Sequence, residues 1–137
     1  MIAWHEPRLI PMSVYLFAYG TLRPGLAPEE IAPVVERLRP VGEGFAFGKL
    51  FDLGAYPAAV FDPGSACCVF GVVYELPQNG ESLRQLDAYE GEEFARTEQL
   101  VTLVAGGVLS CWAYDYQGKP GAERFVEGGR WTKAHKA

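Results

Sequence analysis

Apolar positions fall into short, dense clusters separated by glycine- and proline-rich breaks. Val14 to Tyr19 is β-branched and aromatic, which predicts a buried strand stopping at Gly20. After a turn-rich stretch from Thr21 to Gly25 the period changes. Ile31, Val34, Val35 and Leu38 form an apolar helical stripe, with Pro28 in the first turn, Glu29 and Glu30 suited to its start, and Pro40 as its stop. Strand signals then dominate. Gly44 to Leu53 places Phe45, Phe47 and Phe51 at even spacing, Ala58 to Phe61 is a short strand, and Cys67 to Leu76 is a long apolar one. Glu81 to Glu90 predicts a short helix closed by Gly91. Thr97 to Val104 and Val108 to Tyr116 predict a hairpin turning at Gly106-Gly107. Several short strands, two of them apolar on both faces, and only two helices indicate an α+β chain. The expected architecture is a curved sheet or small barrel with helices outside.

Composition narrows the function classes. The chain has 137 residues, 12 Lys and Arg against 17 Asp and Glu, and a net charge of −5 with no basic cluster, so nucleic-acid binding is not expected. At 49% hydrophobic and 21% charged residues it is not globally disordered. Its apolar runs are strand-sized, so neither a transmembrane helix nor a membrane role is expected. Residues 13–131 are expected to form a single domain, with 1–12, which lack a signal-peptide pattern, and 132–137 as flexible termini. Cys67, Cys68 and Cys111 are odd in number and lack CxxC spacing. Buried free thiols in a reducing, cytoplasmic setting are expected. His5 and His135 lie near opposite ends, which argues against a zinc site and against Ser-His-Asp or Cys-His catalysis.

One carboxylate is out of place. Leu83 and Leu86 define the apolar stripe of the 81–90 helix, and Glu90 projects between them, with Asp87 on the flank. A buried carboxylate raises its pKa or finds donors, and a carboxyl near neutrality suits general acid–base chemistry at pH 7. Glu90 is also the last helical residue before Gly91-Glu92-Glu93 and could end a solvated acidic turn. Arg96 could pair with Glu90 or Asp87. From the pattern alone, these readings stay open.

A second feature is the turn leaving the first strand. Gly20 permits close backbone approach, successive amides can form an anion nest, Thr21 adds a hydroxyl and Arg23 a positive charge. An ordinary strand-to-helix turn fits the same residues. Tyr56, Trp112, Tyr114 and Tyr116 are candidates for core or pocket wall.

In order along the chain, Tyr19-Gly20-Thr21-Leu22-Arg23, Leu50 to Ala58 (LFDLGAYPA), Leu86-Asp87-Ala88-Tyr89-Glu90-Gly91, Arg96 and Gly129-Arg130-Trp131 resemble the signatures of the γ-glutamylcyclotransferase-like superfamily. The resemblance runs from about Val14 to Trp131. It implies a small mixed β-barrel with flanking helices and release of 5-oxoproline from a γ-glutamyl amine or peptide. It also implies a catalytic acid at Glu90 and a substrate loop at Tyr19 to Leu22. There are departures: Phe94 stands where many members have Tyr, Arg130 replaces the usual Asp, and Glu92-Glu93 adds negative charge beside Glu90.

The implied reaction is an intramolecular aminolysis, for which no cofactor or metal is expected. Amides of Gly20, Thr21 and Leu22 would hold the substrate carboxylate or an oxyanion. Tyr19, Tyr56 and Tyr114 would form pocket walls, and Arg23 would lie near the mouth. Two further possibilities use the same fold: a non-catalytic small-molecule-binding or stress-associated protein, and an enzyme removing a γ-glutamyl protecting group in biosynthesis.

Overall fold

The computed structural model describes residues 13–20, 22, 27–77 and 80–132. The strands are β1 (Tyr15–Ala18), β2 (Arg39–Asp52), β3 (Pro57–Phe61), β4 (Cys68–Glu75), β5 (Phe94–Leu103) and β6 (Val108–Tyr116). The helices are α1 (Ala32–Val35) and α2 (Glu81–Glu90), the latter continuing as a 3-10 turn over Gly91–Glu93. A second 3-10 turn spans Ala122–Arg124.

β2 pairs antiparallel with β4, β4 with β1, and β6 with β5, while β1 runs parallel to β6. β5 returns to β2 through Gly44↔Leu103 and Phe45↔Thr102, which closes a mixed ring of strands; β3 lies outside the ring on the edge of β2. Closure requires a glycine at 44, since a Cβ there would stand 2.7 Å from the Thr102 carbonyl oxygen and 2.8 Å from Val101 Cγ1.

β1 shows why both faces of a strand are apolar here. Phe17 and Tyr19 point into the barrel, with Leu50, Val69, Val73, Val101 and Trp131. Leu16 and Ala18 point outward, against Val34, Val35, Leu38 and Leu86 of the helical layer. Strands covered on both sides read as continuous apolar runs rather than alternating ones.

α2 and its Gly91 stop, at φ +76°, match the sequence pattern, as does the Gly106-Gly107 turn. The first helix is shorter than its stripe predicts. α1 is a single turn flanked by the Pro28–Ile31 turn and by Arg37 and Leu38 amides bonded back three residues. Pro33 explains the late start: it lacks an N–H and fits only a first helical turn. Ile31, Val34, Val35 and Leu38 are nevertheless all buried.

Pro40 lies inside β2, at a bulge between Pro40 and Gly42, and does not terminate a helix. β2 and β5 both begin earlier than their alternation predicts, because Arg39 and Phe94 already pair with Glu75 and Tyr116. Cys111 is buried, but Cys67 and Cys68 are half-buried, at the start of β4 where pairing begins. Among the described residues no helix is long and apolar enough to cross a membrane. The expected flexible ends, apart from Thr132, lie outside the described residues.

Candidate active site

The end of β1, the end of α2 and the start of β3 meet around a cavity of about 270 Å³. Ala18, Tyr19, Pro57 and Tyr114 form its buried floor. Glu90 and Tyr89 reach it from α2, and Gly20 and Leu22 from the segment after β1. Tyr56, Glu93 and Phe94 form the outer rim. The sequence-derived site residues Tyr19, Gly20, Leu22, Tyr56, Glu90 and Tyr114 therefore share one cavity, while Thr21 and Arg23 lie outside the described residues.

Two of the tyrosines are tied into the scaffold. Tyr19 donates its hydroxyl hydrogen to the Tyr114 carbonyl at 2.6 Å and accepts the Ala59 amide at 3.3 Å. Tyr114 donates to Asp87 Oδ1 at 2.7 Å. Arg96 grips the same carboxylate through Nε at 2.8 Å and Nη2 at 3.2 Å, and its guanidinium lies 4.4 Å from the Trp112 ring centre. Burial raises the pKa of both phenols, aided at Tyr114 by the bond to Asp87, so both stay neutral. Arg96 therefore pairs with Asp87. Burial opposes ionisation of Asp87, but the hydrogen bonds from Arg96 and Tyr114 outweigh it and hold the carboxyl below its ordinary range.

Glu90 is treated differently. No hydrogen bond or ion pair among the described residues reaches its carboxyl. Burial, and secondly the negative charge of Glu93, push its pKa up to about 7. Such a group takes and returns protons readily near neutral pH. Glu90 is half-buried and lines the cavity.

Glu93 is a lining residue that sequence pattern registered only as extra charge. Its Oε1 accepts the Tyr56 hydroxyl at 2.5 Å, which lifts the Tyr56 pKa to about 12, with burial as a lesser cause. The signal lay in the 3-10 turn: residues three apart eclipse there, so Glu93 follows Glu90 on one side. Phe94 packs between the Tyr56 and Tyr116 rings at 6.2 and 5.4 Å. Arg130, the other departure, sits over Phe70 at 4.2 Å and is not among the residues lining the cavity. Among the described residues no group of three or more His, Cys, Asp or Glu is arranged to hold a metal ion.

The profile of a family described as gamma-glutamyl cyclotransferase, AIG2-like, matches residues 16–133. The chain belongs to this family. Among curated proteins no match is found. Solved structures share the fold. An AIG2-like protein from Mus musculus superimposes with a TM-score of 0.71 at 23% identity, over 90% of each chain. YkqA from Bacillus subtilis gives 0.68 at 21% identity over 88% of this chain, which spans only 40% of YkqA. An uncharacterized protein from Pyrococcus horikoshii gives 0.63 at 23% identity, over 86% of this chain and 89% of that one. The cyclotransferase-like fold is thus a small mixed barrel whose end carries the cavity around Glu90.

Proposed function

We propose that this family member is a cyclotransferase releasing 5-oxoproline from a γ-glutamyl amine or γ-glutamyl peptide, with Glu90 as the proton-transferring group. The observation carrying this reading is a carboxyl facing a cavity, bonded to no donor among the described residues, with a pKa pushed up to about 7. A carboxyl kept for structure would be expected to have partners, as Asp87 does.

The substrate's α-nitrogen attacks its own γ-carbonyl carbon. A C–N bond closes the five-membered ring, and the bond to the leaving nitrogen breaks. Both reacting groups belong to one molecule, so the main task is folding it into an attack geometry. Orientation of that kind supplies about 7–11 kcal/mol. The α-ammonium gives up two protons overall and the leaving nitrogen gains two. Solvent takes the first proton of the α-ammonium; Glu90 takes the second from the attacking nitrogen and returns it to the leaving nitrogen as that departs, and the freed amine takes its last proton from solvent. Main-chain amides of Gly20, Thr21 and Leu22 hold the α-carboxylate or the oxyanion. The Tyr19 and Tyr114 rings floor the pocket and Tyr56 walls it.

The test is incubation of the purified protein with γ-glutamyl dipeptides, γ-glutamyl-ε-lysine, other γ-glutamylamines and glutathione, reading 5-oxoproline by mass spectrometry beside Glu90→Gln. Product from wild type alone is expected. Silence across the panel, with a melting shift on adding the same compounds, would instead favour a binding protein.

A further inference from the structure

The helical layer covers only part of the barrel. α1 and α2 pack on the outside of β1 and on the later parts of β4 and β6. The large apolar side chains left exposed among the described residues, Val41, Phe47, Leu100, Val104 and Val108, belong instead to β2 and to the β5–β6 hairpin. Apolar groups gathered on one uncovered side mark an interaction surface.

β2 runs through that side, between β4 and β5. Ala46 and Leu50 point into the barrel, so Glu43, Phe45, Phe47 and Lys49 point outward. The Phe45 ring centre lies 5.9 Å from that of Phe47 and 5.7 Å from that of Phe70 on β4. Along the strand the outward order is acid, aromatic, aromatic, base, over about 20 Å. Among the described residues neither Glu43 nor Lys49 forms an ion pair, and Lys49 Nζ lies 5.9 Å from the Phe125 ring centre. None of the four lines the cavity around Glu90.

Such a row is complementary to its own reverse. A two-fold axis between two copies, crossing the strands at Ala46, sets Phe45 over the partner's Phe47. It also sets Glu43 over the partner's Lys49 at both ends of the contact. An axis along the strands would oppose like charges instead. Packed sheets stand about 10 Å apart, a gap that facing aromatic rings fill and that Glu and Lys side chains span together. The outer surface of a barrel is convex, so the contact follows one strand and its flanks and belongs with small, weak interfaces.

We propose that two copies of this chain form a weak symmetric dimer through the outer face of β2, with Phe45 and Phe47 at its centre and a Glu43–Lys49 pair at each end. The dimer does not depend on the reaction assigned to the cavity.

Sedimentation equilibrium between about 1 and 500 µM tests it, with a reductant present so that Cys67 and Cys68 cannot link copies. The average mass of wild type is expected to rise from 15.0 kDa towards twice that value. Glu43→Lys and Lys49→Glu each oppose like charges at both ends, and each should raise Kd about ten-fold or more. The first variant lowers the net negative charge of the chain and the second increases it, so repulsion between whole molecules would move them in opposite directions. Both side chains are exposed, and melting should stay close to wild type. The double variant restores opposite charges and should return Kd to within about three-fold of wild type. An equimolar mixture of the two single variants should associate more tightly than either alone, and decides the matter even where the double variant does not fold. A monomer throughout the range, a mass climbing past two copies, single variants that associate like wild type, or a mixture no tighter than its components overturns the proposal.

Discussion

Asp87 and Glu90 lie one helical turn apart on α2, and the fold treats their carboxyl groups in opposite ways. Asp87 accepts two N–H groups of Arg96 and the Tyr114 hydroxyl, and its pKa is lowered. Glu90 has no such donor among the described residues and is pushed up to about 7. Separation of two nearby acids by environment distinguishes a group that stays charged from one that exchanges protons. The pinned one also fixes the helix end that aims the other into the cavity.

Glu90→Gln keeps the shape of the side chain and removes its proton exchange. The rate of 5-oxoproline release is expected to fall by about 10²- to 10⁴-fold with little change in KM. Steady-state kinetics on any substrate found active checks this. A variant within ten-fold of wild type would remove Glu90 from the chemistry.

The same variant changes the pH dependence of stability. The Glu90 carboxyl is raised from 4.5 to about 7 in the folded protein, so below pH 4.5 it is protonated in both states and costs nothing. Between those values the unfolded chain releases the proton more readily, and the folded state loses stability as pH rises. Above pH 7 the penalty is complete, about 1–2 kcal/mol once solvent screening is allowed for. Glu90→Gln should therefore melt higher than wild type at pH 8 and close to it at pH 4.5. Melting curves across that range test the sign.

Asp87 runs the other way. Its lowered pKa contributes stability that is present above 3.8 and lost as pH falls through the folded value. Asp87→Asn weakens the Arg96 pair and the Tyr114 bond, and should cost about 1–2 kcal/mol in urea unfolding at pH 7. Arg96→Lys should likewise destabilise, since an ammonium cannot reproduce the two-pronged grip on Asp87 or the stacking on Trp112. Wild-type stability in Asp87→Asn would mean that the network does not hold the helix end.

Gly20→Ala tests how closely the loop after β1 must approach β3. A Cβ at this position would lie 2.7 Å from Pro57 Cγ and 3.2 Å from Cδ. Relieving that overlap should cost about 1–3 kcal/mol. Because Gly20 and Pro57 both line the cavity, kcat/KM should drop as well. Melting and kinetics measured together are the check; full activity at full stability would show that the proline ring gives way freely.

Much of this was legible in the sequence. The wheel of α2 singled out Glu90 because two leucines bracketed it, and glycines marked where α2 and the β5–β6 hairpin stop. Local pattern could not show the β1–β6 parallel pairing, which joins segments nearly a hundred residues apart, nor the β2–β5 pairing that closes the barrel. Nor could it show that α1 is a single turn, since the buried stripe is the same in a helix and in consecutive turns. Tyr19 and Tyr114 were legible as pocket residues, but not as scaffold, because their hydroxyl partners come from β3, β6 and α2. Glu93 reads in the sequence as surplus charge, since its place on the rim depends on the 3-10 turn and on Tyr56 arriving from the turn between β2 and β3.

The pH–rate profile joins the two acids of the cavity in one measurement. Proton abstraction requires ionised Glu90, so kcat/KM should rise with pH along a limb centred near 7, set mainly by burial and secondarily by Glu93. Removing the Glu93 charge takes away the repulsion that disfavours ionisation. In Glu93→Gln the limb should therefore move to lower pH, by less than the whole shift, because burial remains. A neutral probe substrate keeps leaving-group charge out of the comparison. A limb that stays in place would show that the Glu93 charge does not bear on the ionisation of Glu90. Movement to higher pH would contradict the electrostatics, since loss of a neighbouring anion cannot make a carboxyl harder to ionise.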